Sequence, residues 1–69
     1  MNIIEQIRLM EKLSPPADEI IIAYNEGKES FEPANKNMFE QYSDTILEIV
    51  GGAGIKAKYE NGKVFVEFN

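Results

Sequence analysis

The residue types that most often perform catalysis are scarce in this chain of 69 residues. It has no cysteine and no histidine, which excludes a thiolate nucleophile, an imidazole base and a Ser-His-Asp arrangement. Tyr24, Tyr42 and Tyr59 remain as proton donors, but each lies on a predicted apolar face without an evident partner base. We therefore expect a protein that is not an enzyme and that has no catalytic, cofactor or metal site.

Carboxylates show the most regular spacing of any polar group. Glu40, Asp44 and Glu48 recur every four residues along a predicted helix, and we call these three residues the acidic ridge. Like charges at this spacing weaken a helix by roughly a few tenths of a kcal/mol per pair. The acids show no calcium-loop pattern. The ridge is therefore either a solvated face or a surface that docks on a partner.

The negative charge is concentrated in the middle of the sequence. Twelve acidic and seven basic residues give a net charge of −5, and residues 18–48 hold eight acids and two lysines. Such a region repels phosphate, so binding to nucleic acid or to a membrane surface is not expected. The expected partner is a protein, and the acidity favours one with a basic surface.

Residues 51–54 form the one glycine cluster, Gly-Gly-Ala-Gly. A phosphate-binding loop follows a strand and opens a helix, whose N-terminal amides face the anion. Here the order is reversed, because a predicted helix precedes the glycines and a predicted strand follows them. We interpret the cluster as a flexible connection.

A first helix is predicted over residues 2–13. Asn2 and Glu5 have the spacing of a capping box. Ile3, Ile7 and Met10 recur at helical spacing, and Ile4 and Leu13 widen the stripe. The run Ser-Pro-Pro at residues 14–16 is expected to end this helix, because proline cannot donate a helical hydrogen bond.

A second helix is predicted over residues 35–50. It begins at Asn35 or Asn37, and a left-handed Gly51 is expected to end it. Its apolar face comprises Met38, Phe39, Tyr42, Ile46, Ile49 and Val50.

Residues 55–68 are predicted to form a β-hairpin around the turn Asn61-Gly62. The two-residue loop pairs Tyr59 with Val64 and Lys58 with Phe65. One face is then apolar and comprises Ile55, Ala57, Tyr59, Val64, Val66 and Phe68. The opposite face is charged except for Phe65, and a slip of one residue would exchange the two faces.

Residues 17–33 are open to two interpretations. The β-branched run at residues 20–22 favours a strand. Shifting the sequence by 35 residues also aligns segment 1–33 with segment 36–68 at seven identities, where composition alone gives roughly two. On this interpretation Glu26-Gly27 is the turn of a second hairpin.

The predicted fold is α+β with the order αββαββ. It is one small domain over residues 1–69, in which a four-stranded antiparallel sheet carries both helices on one face. The alternative takes residues 15–26 as a helix stopped by Gly27. It gives three helices and a C-terminal hairpin, the outline of a winged helix.

The predicted sheet leaves its second face open, and an apolar group there is typical of a binding patch. Phe65, Lys56 and Lys58 lie on this face. Ile21 and Ala23 are expected there from the other hairpin. Contact between two such faces or between edge strands would give a homodimer.

These features predict a small acidic interaction module, an inhibitor or adaptor that acts through the acidic ridge or the open sheet face. Compact acidic domains of this kind are frequent among phage and mobile-element proteins that block host or defence factors. By this analogy we expect an anti-defence role. The alternative is a winged-helix transcriptional regulator that binds DNA. No membrane-spanning run or signal peptide is evident, so a cytoplasmic location is expected.

Overall fold

The computed structural model describes residues 2–68 and has an α+β fold. Helix α1 and helix α2 are each followed by strands, and β1, β2 and β3 form one antiparallel sheet in the order β1-β3-β2. The elements in chain order are α1 Ile3–Asn25, β1 Ser30–Phe31, α2 Lys36–Gly51, β2 Lys56–Glu60 and β3 Lys63–Glu67. The prediction of an α+β fold with an antiparallel sheet is confirmed.

Helix α1 runs through the two prolines that were expected to end it. Asn2 caps its start, because its side-chain oxygen accepts a hydrogen bond from the Glu5 backbone N–H at 2.8 Å. Pro15 and Pro16 lie inside the helix, and each proline in a helix interior costs about 3 kcal/mol. The predicted stop at residues 14–16 is therefore wrong, and the helix ends instead before Gly27, whose φ is +74°.

Tertiary packing explains why the helix continues. Leu13, Ala17, Ile20 and Ala23 follow helical spacing and are at most 3% exposed. Fully burying a Leu or Ile side chain stabilises a protein by about 1.5–3 kcal/mol, so this face offsets a large part of the proline penalty. The backbone carbonyls that lose their partners belong to the exposed residues 11 and 12, where water can reach them.

The same helix corrects the interpretation of residues 17–33. Residues 17–25, including the β-branched run at residues 20–22, are helical rather than extended. The four predicted strands and the αββαββ order are not confirmed, because the structure has two helices and three strands. Burial of one helix face overrides the local strand preference of the β-branched run, which is a weak preference in the absence of a sheet to pack on.

Where the first hairpin was expected, the chain forms the short strand β1. Its two residues pair with β3, with Ser30 opposite Phe65 and Phe31 opposite Val64. The carbonyl of Glu29 also accepts a hydrogen bond from the Val66 N–H at 2.8 Å. The chain therefore joins the sheet only briefly before α2 begins.

Helix α2 agrees with its prediction except at its end. Asn35 is the N-cap, since its side-chain oxygen accepts from the Met38 N–H at 3.2 Å. The backbone is non-helical at Tyr42, where φ is −130° and ψ is 26°, so the helix is kinked there. Gly51 is the last helical residue, and the left-handed glycine in this connection is Gly54, with φ +83°.

The C-terminal hairpin has the predicted register. Tyr59 lies opposite Val64 and Lys58 lies opposite Phe65. The turn residues Asn61 and Gly62 both have positive φ, 51° and 77°, as a type I′ turn requires.

The core lies between α1, α2 and the inner face of the hairpin. No polar or charged residue is buried within residues 2–68. Phe39 stacks on Tyr59 with ring centroids 5.4 Å apart, which ties α2 to β2. The fully buried large side chains are Leu13, Ile20, Phe39, Ile46, Val50 and Val64.

Within residues 2–68, none of the helices is both long and apolar enough to cross a membrane.

Substituting Ile20 and Ile22 separately distinguishes the helix from the strand. A strand would put both side chains on one face, whereas in α1 Ile20 is 0% exposed and Ile22 is 56% exposed. We expect Ile20→Ala to lower the free energy of unfolding by about 2–5 kcal/mol, and Ile22→Ala to change it by less than about 0.5 kcal/mol. Urea denaturation followed by circular dichroism measures both. Equal losses for the two variants would contradict the helix.

Candidate interaction surfaces

The acidic ridge lies on the outer face of α2, and the kink divides it. Glu40, Asp44 and Glu48 are all exposed. Glu40 precedes the kink at Tyr42, while Asp44 and Glu48 share the segment that follows it. The structure thus keeps the three carboxylates on α2 but not in one straight row.

Glu40 is linked to the sheet by a hydrogen bond. The Tyr59 hydroxyl donates to Glu40 Oε2 at 3.2 Å. Partial desolvation against the core raises the pKa of Tyr59, and the Glu40 carboxylate raises it further through charge repulsion and the hydrogen bond. The Glu40 carboxylate therefore favours the neutral form of the Tyr59 hydroxyl. The hydrogen bond in turn fixes the position of the carboxylate.

The face of the hairpin that points away from the helices carries Lys56, Lys58 and Phe65, and we call these three the hairpin outer face. Phe65 is half-buried, and the Lys58 ammonium lies 5.7 Å from the centre of its ring. Such a contact is a cation–π interaction, worth about 0.5–1 kcal/mol at exposed sites. Lys58 also pairs with Glu60 at 3.3 Å. The apolar surface of Phe65 is thus partly covered by its own neighbour.

Ile21 does not join this face. It lies on α1, where it is half-buried and packs against the core. Ala23, also expected on the open face, is 3% exposed. Both expectations assumed a second hairpin, and the helix places these residues elsewhere.

An open cleft of about 250 Å³ lies beside the C-terminal end of α1. Its walls combine apolar side chains with four charged groups, of which three have partners. Glu26 pairs with Lys28 at 3.6 Å, and Glu19 accepts a hydrogen bond from the Ala34 N–H at 3.1 Å. The residues that line it are Glu19, Ile22, Ala23, Glu26, Lys28, Phe31 and Glu32.

The start of α1 exposes the most apolar surface. Residues 3–10 of this helix, which we call the N-terminal arm, include Ile3, Ile4, Ile7 and Met10, at 71%, 63%, 53% and 58% exposure. Contact with the core begins at Leu9, which is half-buried. The helix is about 34 Å long, close to the longest dimension of the molecule, 36 Å. The arm therefore extends beyond the core.

Sequence reasoning missed both the cleft and the exposure of the arm. The sequence predicts the stripe of Ile3, Ile7 and Met10, but a helix that ends at residue 13 does not show how the stripe is oriented relative to the core. At about 100° per residue, the centre of this stripe is roughly 100° away from the buried face of Leu13 and Ile20. A helical projection continued to residue 25 would have shown that one helix has two apolar faces.

A scan against protein-family models, a search of curated proteins and a search of solved structures find no match for this chain.

The contact between Tyr59 and Glu40 predicts a specific change in titration. Glu40→Gln removes the negative charge while keeping a hydrogen-bond acceptor, so we expect the pKa of Tyr59 to fall toward its ordinary value of about 10. Because folding favours neutral Tyr59, this group stabilises the wild-type protein below pH about 10 and ceases to do so as pH rises through its elevated pKa.

NMR of isotope-labelled tyrosine rings measures this pKa residue by residue. Glu48→Gln is the matched control, because it removes an equal charge from the same helix at a residue that does not contact Tyr59. An identical pKa of Tyr59 in wild type and Glu40→Gln would show that the two side chains do not interact.

Proposed function

We propose that this protein is a non-enzymatic interaction module, an inhibitor or adaptor, that docks through the acidic ridge on a protein with a basic surface. One observation carries the proposal. The three ridge carboxylates are exposed, and within residues 2–68 the ion pairs are Lys28–Glu26 and Lys58–Glu60, neither of which involves the ridge. The ridge therefore presents unneutralised negative charge to a partner.

Electrostatics favours this use of the surface. Complementary charge steers two proteins into contact and selects against partners of the wrong sign. Residues 18–48 hold eight acids and two lysines, so the segment of the chain that contains the ridge is net negative. Exposed carboxylates retain their hydration in the free protein and can exchange it for the ammonium or guanidinium groups of a partner.

The backbone that carries the ridge is fixed by the packing of the opposite face of α2. Ile46 and Val50, on the inner face of the same helix segment as Asp44 and Glu48, are 0% exposed. Glu40 is positioned by the Tyr59 hydroxyl. Carboxylates on a fixed backbone lose less conformational freedom on binding than carboxylates on a loop, which favours specific docking.

Charge reversal tests the ridge. The protein is used to capture its partner from a lysate of its own source, the partner is identified by mass spectrometry and purified, and calorimetry measures the affinity. We expect the triple variant Glu40→Lys, Asp44→Lys, Glu48→Lys to bind at least roughly tenfold more weakly, about 1.4 kcal/mol. We also expect wild-type binding to weaken as salt increases.

The matched control reverses three acids away from the ridge. The triple variant Asp18→Lys, Glu29→Lys, Glu67→Lys changes the net charge by the same amount, and all three residues are exposed. It should retain most of the affinity. Equal losses in the two triple variants would attribute binding to net charge alone. Unchanged affinity in the ridge variant would exclude the ridge, and a loss confined to Phe65→Ala would assign binding to the hairpin outer face.

A winged-helix DNA-binding regulator is the second candidate, and the observation that favours it is that residues 15–25 are helical, although they belong to α1 and do not form a third helix. The sheet also ends in a hairpin that carries Lys56, Lys58 and Lys63. Against it, the exposed face of α2 is the acidic ridge, whereas a helix that enters a DNA groove needs basic or neutral side chains.

Duplex DNA in fluorescence anisotropy tests this second candidate. A regulator of this kind should bind at low salt, weaken steeply as salt rises, and bind less when Lys58 and Lys63 are changed to glutamine. Absence of binding at low salt would exclude it.

A further inference from the structure

We propose that the N-terminal arm pairs with the same arm of a second copy of this chain, as an antiparallel pair of helices. The arm is the largest apolar surface left without a partner by the fold. Residues 2–8 are all exposed, and Ile3, Ile4, Ile7 and Met10 are each more than half exposed. The surface is distinct from the acidic ridge, so this inference does not rest on the proposed function.

The spacing of the exposed residues fits a helix as the occupant. Ile3, Ile7 and Met10 are separated by four and three residues, which is one heptad of the repeat by which two helices pack side by side. The next position of this repeat is the polar Ser14. A flat protein surface would not require this spacing. The centre of the stripe is roughly 100° away from the face of α1 that is buried against α2 and the sheet. Because the arm also extends beyond the core, a second helix can approach the stripe without displacing the core.

The area is sufficient for a weak dimer. The four exposed side chains offer about 100 Å² each, or roughly 400 Å² per arm, which is within the range of about 300–600 Å² for the largest apolar patch on a monomer. Two arms together would remove about 800 Å² from water, below the size of a standard stable interface. A dimer of this size should be weak and should dissociate on dilution.

The charge of the arm favours a second copy of this chain over a membrane surface or a strongly basic protein. Glu5, Arg8, Glu11 and Lys12 cancel, so residues 2–13 are net neutral while residues 18–48 carry the negative charge. Two copies, each with a net charge of −5, can therefore meet at the arms without direct repulsion. A membrane surface would need a cationic face, which the balanced arm does not have, and a strongly basic partner would be attracted to the acidic middle of the chain instead.

The antiparallel direction follows from the same charges. It places the two acidic bodies at opposite ends of the helix pair and opposes the two helix dipoles. In this arrangement Ile7 of each arm packs against Met10 of the other. Glu11 of each arm also lies on the same flank as Arg8 of the other, which adds a pair of opposite charges.

Sedimentation equilibrium over a range of concentrations tests the dimer. Ile7→Lys should weaken self-association at least tenfold, while circular dichroism of the variant stays that of the wild type, because the residue touches no core. Ile22→Lys is the matched control, since it makes the same change in the same helix at nearly equal exposure, 56% against 53%, and it should associate like the wild type.

Three results would overturn the proposal. Wild-type protein that remains monomeric up to roughly millimolar concentration has no such interface. Equal effects of Ile7→Lys and Ile22→Lys would remove the arm as its location. Dissociation by Phe65→Ala together with a stable dimer in Ile7→Lys would assign self-association to the hairpin outer face.

Cysteine cross-linking tests the direction, because the chain has no cysteine of its own. Under mild oxidation, a mixture of the Ile7→Cys and Met10→Cys variants should form the mixed disulfide-linked dimer faster than either variant forms its own. Faster linkage of Ile7→Cys to itself would show parallel arms and overturn the antiparallel arrangement.

Discussion

The burial of one face of α1 across Pro15 and Pro16 is the constraint on which the rest of the structure depends. Two prolines and a β-branched run disfavour a helix here. The packing of Leu13, Ala17 and Ile20 against α2 and the sheet stabilises the helix despite them. Because the helix continues, residues 17–25 cannot supply a hairpin, and β1 is reduced to two residues. The sheet has three strands for this reason.

The continuous helix also determines where the surfaces lie. It carries Ile21 and Ala23 into the protein and away from the hairpin outer face, and it extends the N-terminal arm beyond the core. The same protein thus has a neutral apolar arm at one end of α1 and an acidic ridge on α2. Surfaces of such different chemistry can be occupied by different partners at once, so self-association and partner binding need not compete.

The parts of the fold that could be predicted from sequence are those decided locally. The turn Asn61-Gly62 fixes the hairpin register, and the periodicity of α2 identifies Phe39 and Ile46 as core residues before any tertiary contact is known. Residues 14–25 could not be predicted in this way, because local preference and tertiary packing disagree there. The ridge positions followed from spacing alone, but the kink at Tyr42 and the contact of Glu40 with Tyr59 depend on packing between α2 and β2.

Backbone chemical shifts of the α carbons across residues 11–19 test this account most directly, since prolines have no amide proton but do have an α carbon. A helix that continues through Pro15 and Pro16 predicts unbroken helical shifts from residue 3 to residue 25. Coil values at residues 14–16, with helical values only on one or both sides, would contradict it. The arm would then no longer be fixed to the core by a continuous helix.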